Sequence, residues 1–182
     1  MGALLPVAAA IAAGLPAAAT APPSFGIYAL ERDAPSPAST RAPLELRYPH
    51  ARLAYCPPEV CATGRWYAFV RRPEVLDSQI LRSTIHAERD PNTRSPIVVF
   101  RFTPGGQQAF HSVTGLIANR GRHAHRPEHV AFVLDNRVLA APFVDYRRNP
   151  NGFVGGNGVQ IAAPTRARAE RIATRLRADA EG

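Results

Sequence analysis

IVVFRF at residues 97–102 and VAFVLDNRVLAAPFV at residues 130–144 decide the fold. The first is an apolar run of strand length, rich in β-branched and aromatic side chains and interrupted only by Arg101. Such a run reads as a buried strand. The second is two apolar runs joined by Asp135-Asn136. A two-residue hairpin turn needs positive φ, and Asp and Asn tolerate it well. The stretch therefore reads as a hairpin of strands at residues 130–134 and 137–144. Pro142 has no amide to donate, so its strand lies at an edge or ends in a bulge there.

Between the two stretches the pattern is helical. Thr103 is placed to cap a helix, Pro104 suits its first position, and Gly105 and Gly106 weaken the first turn. Phe110, Val113, Leu116 and Ile117 form one apolar face at helical spacing, read as core packing, and Asn119 and Gly121 end the helix. After the hairpin come a loop at Asn149-Pro150-Asn151-Gly152 and a tight bend at Gly155-Gly156-Asn157-Gly158. A phosphate-binding glycine loop opens into a helix, whereas a strand follows here at residues 159–162. Pro164 and Thr165 start the last helix, with Thr165 as its cap. Ala169, Ile172, Ala173 and Leu176 form its apolar stripe, and Arg166, Arg168, Arg171 and Arg175 cover much of the rest. Glu170 lies four residues after Arg166 and pairs with it weakly. The order β-α-β-β-β-α over residues 96–178 predicts an α+β domain, with a mostly antiparallel sheet and helices on one face.

Upstream, ILRSTIHA at residues 80–87 alternates as a half-exposed strand, with Ile80 in and Leu81 out. The turn signal Asp90-Pro91-Asn92 joins it to residues 97–102 as a hairpin. WYAFV at residues 66–70 and FGIYAL at 25–30 have strand composition. DAPSPASTRAP at 33–43 reads as a loop and residues 44–48 as a brief helical turn. Most of the 18 prolines precede residue 105, so residues 22–95 read as an irregular, proline-rich N-terminal region, and residues 179–182 as a tail.

Residues 1–21 carry no charged side chain and offer an A-x-A site at Ala17-Ala18-Ala19. Two readings stand: a cleaved signal peptide, or a retained N-terminal anchor, since about 20 apolar residues span a bilayer. Both put the remainder outside the cytoplasm, secreted or membrane-anchored. Cys56 and Cys61 fit that location. The prolines between them bend the loop and can bring the sulfurs within bonding distance, so a structural disulfide is expected. The spacing is not that of a C-x-x-C redox motif, and no second ligand pair for zinc lies nearby.

The formal charge is +8, and all 22 basic residues are arginine. That balance favours anionic partners such as lipid headgroups, envelope polymers or acidic polypeptide. The arginines are scattered and never interleaved with stacking aromatics, which argues against nucleic acid. His123, His125 and His129 share a polar loop at residues 122–129, but no carboxylate or cysteine at fixed spacing completes a metal site. There is no nucleophile elbow, zincin motif, phosphate loop or dinucleotide fingerprint. Nothing ties Asp135 and His129 to a serine, and Asp135 is accounted for as a turn residue. The expectation is a binding module with no catalytic site, cofactor or metal.

One resemblance sharpens this. PIVVFRFTPGGQQAF, HVAFVLDNRVLAAPFV and GGNGVQI followed by an Ala-rich helix resemble the head subdomain of the large extracytoplasmic domain of SecD (SecDF), a membrane-integrated subunit that assists protein export. The shared features fall on Phe100, Phe110, Leu134, Asp135, Val138, Ala141, Pro142, Gly155, Gly156, Gly158, Ile161, Ala169 and Leu176, all structural positions. The upstream IYALERDA and WYAFVRRPEVLDSQI are similar to forms found in some SecD chains, so the likeness covers about residues 25–176. The sequence departs at Ala162-Ala163, where the family has a glycine. It also departs after the last helix, where the family's Gly-Ala-Leu-Pro and the transmembrane helices that couple to protons have no counterpart. The resemblance thus implies the fold, an extracytoplasmic place, and contact with polypeptide in transit or with Sec translocase components, without proton coupling. The alternative is a secreted binding module of the same fold, whose arginine surface holds anionic envelope polymers or a membrane surface.

Overall fold

The structure is a computed structural model and describes residues 25–30, 32–34, 52–60, 65–69, 73–154 and 158–179. The leader, the helical turn read at residues 44–48, Cys61 and Gly155-Gly156 lie outside the described residues. In chain order the elements are β1 (Phe25–Ala29), β2 (Arg32–Ala34), β3 (Arg52–Cys56), β4 (Arg65–Phe69), β5 (Val75–Leu76), a single 3-10 turn (Asp77–Gln79), β6 (Ile80–Arg89) and β7 (Pro96–Phe102). They continue with α1 (Pro104–Ala124), β8 (Glu128–Leu134), β9 (Arg137–Ala140), β10 (Phe143–Val144), β11 (Val159–Ala162) and α2 (Arg166–Asp179).

Among the described residues the predicted antiparallel α+β architecture is distributed over two sheets. One runs β2-β4-β3-β9-β8-β1-β5, with β10 also on β8, and the other runs β11-β7-β6. One described pairing is parallel, the bridge between Tyr55 and Arg137. The strands of the proline-rich half enter the same sheet as the hairpin. β1 lies between β8 and β5, with Phe25 opposite Leu134 and Ala29 opposite Val130. Asp33 and Ala34, read as loop, belong to β2, and neither β3 nor β5 was marked by the sequence pattern. All three are short strands whose order comes from their neighbours rather than from a local pattern.

Both faces of the larger sheet are covered. Phe25, Ile27, Val130, Phe132 and Leu134 face a core shared with Val98, Phe100 and Phe102 of β7. On the other face Tyr28, Leu30, Ala131, Val133 and Val138 pack with Ala54 and Cys56. α1 packs chiefly on β8 and β1, and α2 on β6 and β7.

α1 begins as the sequence predicts: the Thr103 hydroxyl accepts from the Gly106 N–H at 3.1 Å, with Pro104 in the first turn. Phe110, Val113 and Ile117 are buried, but Leu116 is 37% exposed and leaves the predicted face. The helix does not stop at Asn119 or Gly121. It runs to Ala124, and His125 caps it in the left-handed conformation at φ 53°. Gly121 is needed for proximity instead, because a Cβ there would sit 2.8 Å from the Arg126 carbonyl, where the chain folds back. The polar loop is shortened from both ends: Arg122 and His123 are helical, and His129 lies in β8.

α2 follows its reading closely. The Thr165 hydroxyl accepts from the Arg168 N–H at 3.2 Å, and Ala169, Ile172, Ala173 and Leu176 are all buried. Burying Ile172 and Leu176 contributes about 1.5–3 kcal/mol each. Arg166 and Glu170 pair at 2.8 Å, both exposed, which adds little.

β6 corrects its own alternation. Ile80 and Ile85 are both buried although five residues apart, an odd spacing that a regular strand sends to opposite faces. The register on β7 shifts between Leu81 and His86, and this bulge resets the phase. Thr84 mends the ladder there: its hydroxyl donates to the Leu81 carbonyl at 2.6 Å and accepts from the Arg101 N–H at 2.9 Å. The predicted turn closes the hairpin, with the Asp90 carboxylate accepting from the Asn92 and Thr93 amides at 2.7 and 2.8 Å.

Candidate functional site

The turn at Asp135-Asn136 has φ of 47° and 63°, as the hairpin requires. β9 then pairs with the C-terminal half of β8 until Ala141-Pro142 interrupts it, and β10 resumes on the N-terminal half of β8. The Pro142 carbonyl still accepts from the Val130 N–H at 3.1 Å, so the break costs the ladder a donor and no acceptor. His129 donates from Nδ1 to the Ala141 carbonyl at 2.8 Å, which pins the interrupted segment. This interruption forms one wall of a groove.

β11 forms the facing wall. The Ala163 N–H donates to the Pro96 carbonyl at 2.9 Å, which fixes the phase of the ladder with β7. In an antiparallel pair the backbone groups of alternate residues point to opposite sides. Those of Val159 and Ile161 are thus spent on β7, while the N–H and C=O of Gln160 and Ala162 point outward from the sheet edge. No described strand pairs with that edge. Across the groove, β9 meets β3 only at Arg137, so Val138–Ala140 have no strand neighbour on that side among the described residues.

The groove encloses about 740 Å³; beneath it lie the buried core side chains Phe110, Phe132, Leu139 and Ile161, and the half-buried Phe153 reaches its surface. Its rims are Ala140–Pro142 and Ala162–Pro164, with Glu59, Ser95 and Gln160 as its polar members. Phe153 is placed by a chain of local contacts. The loop before it lies on α1 because Gly152, at φ 84°, approaches so closely that a Cβ would come 2.3 Å from the Gly115 nitrogen. Arg122 donates to the Pro150 carbonyl at 3.1 Å. The fully buried Thr114 hydroxyl accepts from the Phe153 N–H at 2.8 Å while donating to the Phe110 carbonyl at 2.8 Å. Phe153 then stacks on Phe110, with centroids 6.4 Å apart and planes at 22°. Val154, next in sequence, is 84% exposed beside the groove.

Of the residues singled out from sequence, Phe110, Ala141, Pro142, Gly158 and Ile161 meet at this groove. Gly158 is in the left-handed region at φ 87°, where a Cβ would lie 2.9 Å from the Phe100 carbonyl. Phe100 and Val138 are core residues, buried in the larger and smaller clusters. Leu134 ends β8, and Asp135 does more than turn the chain. Its carboxylate accepts a two-pronged contact from Arg175 of α2, at 3.0 and 3.2 Å. That fork ties the larger sheet to the helix on the smaller one. Cys56 is buried at the end of β3. Among the described residues no three His, Cys, Asp or Glu side chains are grouped to hold a metal. Phe132, Leu139, Phe153 and Gln160 were not picked out as site residues. An aromatic placed directly after the Asn149–Gly152 turn was the one signal available for Phe153.

Two sheets with open edges facing across a groove define a module of the α+β class. The chain belongs to the SecDF P1 head subdomain family, whose profile matches residues 54–180 and so spans β4 through α2, including the hairpin and both helices. A crystal structure of SecDF in a super-membrane-facing form shares the fold at TM-score 0.52 and 20% identity, over 84% of this chain and 18% of that one. A second structure, of SecDF described as a membrane component that enhances protein export, matches at TM-score 0.51 and 19% identity, over 84% of this chain and 61% of that one. The chain therefore spans only part of either SecDF chain. No curated protein matches it significantly. No helix among the described residues is long and apolar enough to cross a membrane.

Proposed function

We propose that this chain is a head module of protein export that holds unfolded or translocating polypeptide on the outer side of the membrane. The observation that carries this reading is the groove. An unfolded chain exposes two things a folded protein hides, apolar side chains and unpaired backbone. The half-buried Phe153 and the exposed Val154 offer contact to the first. The outward N–H and C=O groups of Gln160 and Ala162 accept the second, by strand addition, which reads backbone and is tolerant of sequence. Family membership supports the same reading, and Sec translocase components are the natural neighbours for such a module.

The test is site-specific photocrosslinking to a permanently unfolded, reduced and alkylated secretory protein. Photoreactive residues at Val154 and Gln160 should capture it, while one at the exposed Arg89 on β6, the opposite edge strand of the smaller sheet, should not. Equal capture at all three positions, or none at the groove, would overturn the proposal.

A further inference from the structure

We propose that the cleft between α2 and the β8–β9 hairpin binds a phosphate group. It stands apart from the groove and holds whether or not the groove takes polypeptide. The cleft encloses about 160 Å³, the scale of one small ion with its contacts. Four arginines line it, Arg137 from the hairpin and Arg168, Arg171 and Arg175 from α2, against a single carboxylate, Asp135. That carboxylate is engaged by both prongs of Arg175.

Arg137, Arg168 and Arg171 have no carboxylate partner among the described residues. Some arginines elsewhere are compensated, as where Arg126 meets Glu128, Arg148 meets Asp145 and Arg166 meets Glu170, whereas these three share one concave space. Uncompensated guanidiniums converging on one concave space repel each other unless an anion enters. Ile172 at its base is buried and apolar, which lowers the local dielectric and strengthens any ion held there. A carboxylate offers two oxygens and satisfies one fork. A tetrahedral phosphate presents acceptors in several directions and suits forks arriving from two walls. The same chemistry is offered by inorganic phosphate and by a phospholipid headgroup.

The full chain is titrated with inorganic phosphate at constant ionic strength and followed by amide NMR. Saturable shifts are expected at the backbone of Asp135, Arg137, Arg168 and Arg171. Arg168→Gln with Arg171→Gln should weaken binding roughly tenfold or more. Arg137→Gln, from the opposite wall, should weaken it independently. The control, Arg89→Gln with Arg94→Gln, removes the same charge from exposed positions on another hairpin and should leave binding unchanged. A second arm measures flotation with phosphatidylcholine vesicles, with and without phosphatidylglycerol. Phosphate-dependent shifts plus flotation that the α2 double variant abolishes identify a headgroup site. Shifts without flotation identify a soluble phosphate site. The proposal fails if phosphate moves none of these amides, if the control loses binding as much as the cleft variants, or if vesicles bind while phosphate does not.

Discussion

Thr114→Val is the sharpest test of how the groove floor is held. Thr114 is fully buried and its hydroxyl does two jobs, donating to Phe110 and accepting from the Phe153 N–H. Valine keeps the shape and removes both. The Phe110 carbonyl sits inside α1 and keeps its helical partner, so losing the hydroxyl donor matters little. The Phe153 N–H has no other described partner and is left unsatisfied in a part-buried place. That costs about 1–3 kcal/mol. For a chain of this size about 2 kcal/mol lowers Tm by about 4–8 °C. Thr114→Ser keeps the hydroxyl and loses one methyl, about 1 kcal/mol. Urea unfolding gives the two stabilities, and hydrogen exchange at the Phe153 amide separates the causes. Valine should unprotect that amide and serine should not. A valine variant as stable as wild type, with the Phe153 amide still protected, would refute the account.

Phe110→Ala should cost about 3–5 kcal/mol by denaturation, while Leu116→Ala, one turn-face away and partly exposed, should cost less than about 1 kcal/mol. The Thr93 and Asn92 amides hold the Asp90 carboxyl below its ordinary value of 3.8. With the folded value depressed, the stabilisation is complete above the ordinary value and disappears as pH falls through the lower one. NMR titration of the carboxyl carbon should place the midpoint below 3.8, and a midpoint at or above that value contradicts the turn geometry. We also propose that Cys56 pairs with Cys61. The turn after Cys56, where the Val60 N–H meets the Pro57 carbonyl at 2.9 Å, sends the chain back in the direction the bond needs. Intact-mass measurement should show two hydrogens missing, and reduction should cost about 2 kcal/mol.

What could be read from the sequence was what is local. The Asp135-Asn136 turn, the Thr103 and Thr165 caps and the Asp90 turn are decided within a few residues, and each stands where the chain predicted it. Gly121 misleads because a glycine can end a helix or admit a close neighbour, and only the packing of Arg126 chooses. The β6 alternation is broken by a bulge whose compensating contact, Thr84 to Arg101, lies across the sheet. β2 and β5 owe their order to partners more than thirty residues away, and β3 to the adjacent β4 together with the distant β9. The groove is harder still. Its walls come from residues around 140 and 160, and its floor from 110, 132 and 153. No periodicity links these positions, although the interruption at Pro142 that opens one wall was visible as a single missing donor.

β1 has a consequence for how the molecule comes into being. It is the earliest described strand to leave the ribosome or the membrane, yet its chief neighbour is β8, more than halfway further along. Until that neighbour arrives, FGIYA is an apolar ribbon with only the two-residue β5 to pair with. Closing so long a loop slows assembly. A maturing copy therefore passes through a stage in which its own first strand resembles the unfolded clients it is proposed to hold, and needs the same shelter.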